Sequence, residues 1–395
     1  MMSSELFIGF IVICIFLIMH YANNDSLRFF NQISSDNILN DILVENGFIK
    51  ENTANLREKM GIQDENNVDL LMAKTKSLND FNHDDNFIKP TVLTLSDENR
   101  ITQKYQLWNL FSKKLDEKDL LNILPETFNL LNAKDFKKLN EQSYYINNPE
   151  YILKSESSTY VSNNDMGDLL KHINDTNRFH IRQFTERLCS YQKLNSLRYT
   201  VAQKYVKKQA LINGFNFKVK CYLLITKYGG STKGYLYKNG HIYYAKEKAN
   251  PLHISRFNAI ASREMMYMNR TPEQVRSIYQ GMPRSILQWK KFLKSNTVPL
   301  DNLVNLSKVV CDICDSEVGN SLVSVNNESF GLYELDVLFK DDYKPLLLKL
   351  VPVKQIENPT AIEQKIRKNV WNSTLSETNL IQNNDSGMKL IYDSK

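Results

Sequence analysis

Glycine is scarce in this chain, with 13 residues in 395, where average usage near 7% gives about 28. A fold that wraps phosphates in glycine-rich loops has little to build them from. Cysteine is equally sparse, and five residues exclude a disulfide-stapled secreted scaffold. The six histidines occur singly, with no H-E-x-x-H or H-x-H pair, so no histidine-based metal motif is present. The absence of G-x-S-x-G excludes the usual serine nucleophile elbow. The one C-x-x-C, Cys311 to Cys314, has no second pair at zinc spacing and falls inside an amphipathic helical pattern, so it reads as core or surface cysteines. Seven N-x-S/T sequons are no more than so Asn-rich a chain gives by chance. Disorder throughout is excluded as well, because 42% of the residues are hydrophobic and 24% charged.

What is present is unevenly placed. The net charge is only +6, but Arg187 to Lys248 holds thirteen Lys and Arg against one acid, Glu247. That block is +12, which leaves −6 for the rest, and it also carries nine tyrosines. A basic, aromatic-laced block suits an acidic protein, a nucleic acid or an anionic membrane; the alternative is an ordinary solvated face. Residues 6–22 form an apolar run with no basic residue before it and no small-residue cleavage site after it. It reads as an uncleaved transmembrane anchor over 1–22, with a cleaved signal peptide and a buried helix as the alternatives. Arg28, on its C-terminal side, points to a single-pass membrane protein with a cytoplasmic body.

Residues 23–97 read as a polar tether with marginal helices, and 379–395 as a polar tail. Between them, hydrophobic periodicity predicts helices over 101–115 and 301–318. β-Branched and aromatic runs predict strands over 192–208, 215–226, 234–244, 330–339 and 344–353, with turns at Gly229-Gly230, Asn239-Gly240 and 340–342. In the 217–220 stretch, alternation puts Phe217 and Val219 on the core face and Lys218 and Lys220 on the other.

Four segments occur in an informative order. They are LPETFNL (124–130) with YILK (151–154); AQKYV (202–206) with LINGFNFKVKCYLL (211–224); GYLYKNG (234–240); and YELDVL (333–338) with KPLLLKLV (344–351). In this order and spacing they resemble the tubulin–tyrosine ligase-like family of ATP-grasp enzymes. The resemblance implies an α+β, ATP-grasp-like body behind the N-terminal transmembrane helix. Its N-terminal and central lobes would span 98–206 and its C-terminal lobe 207–378. It also implies a nucleotide-binding lysine at Lys154, an adenine hinge at Gln203, Lys204, Tyr205 and Val206, a catalytic cation at Lys220, and a metal carboxylate at Asp336. Members of the family bind ATP and Mg2+, phosphorylate a carboxylate and transfer the acyl group to an amine, with an acidic tubulin tail as the usual acceptor.

The departures concern the metals. Lys349 and Val351 stand where that pattern has a metal-binding Glu and Asn. Lys218 replaces an Asp, Lys220 an Arg, and Ser155 to Tyr160 replaces a glycine-rich basic loop; Leu252 to Asn258 only blurs the H-L-T-N segment. Lys349 is expected opposite Asp336, paired with it in place of a metal ion. If the metal survives, the substitute ligand is Glu334, two residues from Asp336 and on the same strand face, or Asp342. Three functions follow. They are a membrane-anchored pseudoenzyme that binds a partner or nucleotide, an active amino-acid ligase for tubulin or another acidic protein, and a basic binder of nucleic acid or anionic membrane. The RNP1 pattern of an RNA-binding strand is absent.

Overall fold

In the computed structural model the described residues are 28–31, 37–47, 49–50, 70–74, 91–95, 104–129, 132, 134–135, 137–139, 151–155, 159–161, 199–228, 231–252, 254–318, 328–353, 356, 358–381 and 387–394. The N-terminal part holds four short strands, β1 (Arg28–Asn31), β2 (Ile49–Lys50), β3 (Leu70–Lys74) and β4 (Thr91–Leu95), with helix α1 (Asn37–Glu45). They pair in parallel, in the order β2-β1-β3-β4. The stretch expected as a tether thus contributes a small sheet. Helices α2 (Lys104–Ser112) and α3 (Glu117–Ile123) follow. A second sheet is built from β5 (Thr127–Asn129), β6 (Tyr151–Ser155), β7 (Thr159–Val161) and β8 (Tyr199–Lys204), in the order β5-β8-β6-β7.

The main sheet is antiparallel and starts with a tight turn. β9 (Leu211–Ile212) meets β10 (Phe215–Tyr228) through Asn213 and Gly214, both at positive φ (51° and 83°). This two-residue Asn-Gly hairpin matches the right-handed strand twist. β10 is aromatic and β-branched, with neither Gly nor Pro inside it. Then come β11 (Ser231–Tyr244), β12 (Glu328–Phe339), β13 (Pro345–Pro352) and β14 (Met388–Asp393), in the order β13-β12-β10-β11-β14. The 330–339 strand therefore lies directly beside the 215–226 strand. β14 occupies part of the expected polar tail, pairing at the sheet edge with β11 and burying Ile391 in the core while Leu390 stays exposed.

Five helices lie between or after these strands: α4 (Arg256–Ala259), α5 (Arg263–Tyr267), α6 (Pro272–Ile278), α7 (Ile286–Leu293) and α8 (Val298–Val318), with α9 (Ala361–Glu377) nearer the C-terminus. One face of the main sheet presents Phe217, Val219, Cys221, Leu223 and Ile225 to Trp289 of α7 and to Leu303, Leu306, Val310 and Ile313 of α8. The helical spacing of the last four is what the amphipathic pattern predicted. Cys311 and Cys314 are buried in the same core as free thiols. The other face carries Tyr222, Leu224, Tyr237 and Leu332 against Ile366, Val370 and Trp371 of α9. Each fully buried side chain of this size contributes about 1.5–3 kcal/mol.

The fold is α+β, but among the described residues no helix is long and apolar enough to cross a membrane. The anchor assigned to 1–22 lies outside the described residues, and in place of a body behind a transmembrane helix the described residues show helices with one parallel and two antiparallel sheets. The Asn239-Gly240 turn is also absent, since both residues lie inside β11, beside a shift of register at Cys221–Leu223. A Cβ on Gly240 would stand 2.2 Å from the Lys220 carbonyl oxygen. This glycine marks a close approach of two backbones, a reading as valid as a turn. The Gly229-Gly230 turn lies outside the described residues.

Candidate functional site

On β10 the alternation continues past Lys218 and Lys220 into Tyr222 and Leu224, so one sheet face changes from polar to apolar along its length. The polar stretch gathers four strands. Lys220 is opposite His241 of β11 and Asp336 of β12, and Asp336 is opposite Lys349 of β13. Glu334 is opposite Tyr222 on one side and Val351 on the other.

Over this patch opens a cleft of about 570 Å³. Its walls include Gln203, Lys204, Tyr205 and Val206 at the end of β8, then Lys218, Lys220, Asp336 and Lys349 of the sheet, and Arg256, Arg263 and Glu264 from α4 and α5. The fold thus brings the sequence-predicted hinge residues to the same cavity as Lys220 and Asp336, across more than 130 residues of chain. Glu334 sits behind the wall and is 5% exposed. Lys154 is on β6 with its backbone opposite Val201, and its side chain is outside the described residues, as are residues 156–158 of the Ser155–Tyr160 loop.

The carboxylates are already engaged. Lys218 Nζ donates to Asp336 Oδ2 at 2.8 Å, and Lys220 Nζ donates to Glu334 Oε2. Asp336 therefore pairs with Lys218, which had read as a bare charge reversal, and not with Lys349 as expected. Lys218 is one residue pair diagonal from Asp336, a separation that a lysine side chain spans. Burial would raise the Asp336 pKa, but Lys218 and Lys220 outweigh it and hold the carboxyl well below its ordinary range. Burial would lower that of Lys220, but Glu334 and Asp336 outweigh it and raise it. Lys349 goes the other way: burial, with repulsion from Lys218 and Lys220, lowers its pKa despite Asp336. Glu264 is held low even though burial opposes ionisation, by its backbone and Ser262 hydrogen bonds and by Lys218 and Lys220.

Divalent cations of this class need several free oxygen ligands at close range. Here both strand carboxylates face ammonium groups, and a third cation stands opposite Asp336. Among the described residues no three His, Cys, Asp or Glu side chains converge to hold a metal ion. The residues present do not fit the paired Mg2+ ions that the resemblance implies.

A further buried network was missed from the sequence. Glu363, in the first turn of α9, accepts from Tyr243 Oη (3.0 Å), Arg263 Nε (2.9 Å) and the Thr360 backbone (2.7 Å). The T-x-x-E capping box at Thr360–Glu363 was legible; that its glutamate also holds a cleft arginine was not. Beside it His241 Nε2 meets Tyr222 Oη at 2.9 Å. Burial first, then Lys220, lowers its pKa to about 3, so the ring is neutral. Lys204 bonds Glu126 at 2.9 Å, and Gln203 Nε2 bonds Thr127 Oγ1 at 3.1 Å. Four of the basic block's tyrosines turn inward: Tyr222, Tyr237, Tyr243 and Tyr244 are buried.

No protein-family model matches this sequence, and no protein of established function matches it.

Proposed function

We propose that this chain is a divergent, non-catalytic relative of the tubulin–tyrosine ligase-like enzymes, a binding protein that has lost the Mg·ATP ligation chemistry. The observation that carries this reading is the pair of Lys218–Asp336 and Lys220–Glu334 contacts, with Lys349 opposite Asp336. Ligation through an acyl phosphate needs carboxylates free to hold metal ions that screen the transferred phosphoryl group. Lysines occupy that electrostatic role, but they cannot move with the phosphoryl group or bridge it to the leaving oxygens. An acidic protein tail remains the partner class suited to the basic block, of which Lys207, Lys208 and Lys238 lie on described, non-core positions. The nucleic-acid reading loses support because four of the block's tyrosines are packed in the core and cannot stack on bases.

The test is incorporation of labelled glutamate or tyrosine into tubulin by the full chain with Mg·ATP. The expected result is no incorporation above background. Turnover that requires both Mg2+ and this chain would overturn the proposal.

A further inference from the structure

From Gln274 to Leu300 the chain carries five Lys and Arg and no acid. The stretch covers most of α6, all of α7 and the start of α8. Among the described residues, four of the nine exposed large hydrophobic side chains lie in it, namely Ile278, Leu287, Phe292 and Val298. Bare apolar bulk and charge of one sign therefore coincide. Arg276 has Glu273 one turn away and Arg284 is half-buried, which leaves Lys290, Lys291 and Lys294 as the exposed cations. Among the described residues no carboxylate forms an ion pair with these three lysines. Neither α6 nor α7 lines the cleft, so this surface is separate from the lost metal site.

The inner face of α7 is fixed. Ile286 and Trp289 are buried, and the Trp289 ring lies edge-on to Phe217 and Phe339, with centroids 5.6 and 5.0 Å apart. The Leu287 N–H donates to Asn239 Oδ1 at 3.2 Å, and Arg284 Nη2 donates to the Val275 carbonyl of α6 at 2.9 Å. At 3.6 residues per turn, the outer face stacks Leu287 with Lys291 and Gln288 with Phe292. All four are exposed. Lys294 closes the helix at φ 55° and ψ −112°, backbone angles that suit glycine and strain any other residue. A lysine there keeps a charge two residues from Phe292 in spite of the strain.

We propose that the outer face of α7 and the turn after it dock the protein on an anionic lipid bilayer. Leu287 and Phe292 enter the boundary between headgroups and acyl chains, and Lys290, Lys291 and Lys294 meet the acidic headgroups. Lys and Arg combined with Phe and Leu on one helix are the composition of interfacial membrane elements. An acidic peptide is the weaker fit, because its recognition draws on arginine forks or a groove, and here lysine point charges surround outward apolar side chains. A nucleic acid fits less well again, since Leu287 and Val298 offer no ring on which a base could stack.

The experiment is co-sedimentation of the full chain with vesicles of phosphatidylcholine alone and of phosphatidylcholine with about 30% phosphatidylserine. Binding that owes nothing to charge occurs with both, so the readout is the excess affinity caused by phosphatidylserine. The parent should show such an excess, and it should vanish at about 1 M salt, where the screening length is about 3 Å. Lys290→Gln/Lys291→Gln/Lys294→Gln should abolish it, since each lysine is worth about fivefold. Lys113→Gln/Lys114→Gln/Lys118→Gln, at exposed lysines after α2 and on α3, changes the net charge equally and should leave it intact. Phe292→Ser should weaken binding to the phosphatidylserine vesicles by about tenfold. Lys294→Gly separates docking from folding: it should raise the melting temperature by relieving strain and still lower affinity about fivefold. The proposal is overturned if the parent shows no excess, if both triple variants lose it alike, or if Phe292→Ser or Lys294→Gly binds like the parent. It is also overturned if phosphatidylserine has no effect while a polyglutamate peptide binds the parent and not the α7 triple variant; the surface then belongs to an acidic protein.

Discussion

Replacing Lys218 by Met removes one charge and keeps most of the side-chain volume. The Lys218–Asp336 contact is 2.8 Å long, between side chains 14% and 13% exposed. At an effective dielectric near 20, two unit charges at that distance attract by about 6 kcal/mol. Desolvation of the pair offsets much of this, which is why replacing both partners of a buried pair with apolar groups is often neutral. Removing one partner is different. Asp336 Oδ1 already has no hydrogen-bond partner, so Lys218→Met leaves a buried carboxylate with neither oxygen bonded. Stripping such a pair costs about 3–5 kcal/mol. Lys220 and Lys349 still act on Asp336, which reduces the expected loss to about 2–3 kcal/mol. The Lys218→Met/Asp336→Leu double variant should regain most of it, giving a coupling of about 2 kcal/mol in the cycle. Urea unfolding followed by the fluorescence of the buried Trp289 and Trp371 reports all four proteins. A Lys218→Met variant within about 0.5 kcal/mol of the parent, the range of an ordinary surface change, would refute the reasoning.

His241 is neutral in the fold because its pKa falls from 6.5 to about 3. The unfolded chain takes up the proton first, so stability is full above the unfolded value and falls as pH drops below it, with a slope approaching about 1.4 kcal/mol per pH unit. Urea midpoints between neutral and mildly acidic pH should show that slope, and His241→Phe should flatten it; equal slopes in both proteins would contradict the assignment. Gly240→Ala places a methyl 2.2 Å from the Lys220 carbonyl oxygen and 2.8 Å from Ile286 Cδ1. It should cost at least about 2 kcal/mol, and a melting temperature equal to the parent's would show that β11 can shift away.

The strands and the amphipathic α8 were legible because each carries its own periodicity. The faces of 217–220 could be assigned from alternation alone, and Phe217 and Val219 are buried while Lys218 and Lys220 reach the cleft. Asn239-Gly240 was misread because a turn and a close backbone approach call for the same residue. Lys218 and Lys220 were judged separately from the acids they meet, since their partners lie 118 and 114 residues away. The expected Lys349–Asp336 pair had the right register and the wrong partner: the cross-strand neighbour is Lys349, but the shorter reach is from Lys218. Arg256, Arg263 and Gln209 carry no motif; only folding brings them to the β8 end.

On the proposed reading, Lys218, Lys220 and Lys349 fill the charge positions of a metal site. Paramagnetic resonance of Mn2+, a spectroscopic stand-in for Mg2+, titrated into the full chain with ADP present tests it most directly. The expected spectrum is that of free and ADP-bound Mn2+ alone, with no protein-held ion, while Lys349→Glu/Val351→Asn acquires a bound signal. Stoichiometric Mn2+ held by the unmodified chain would contradict the account.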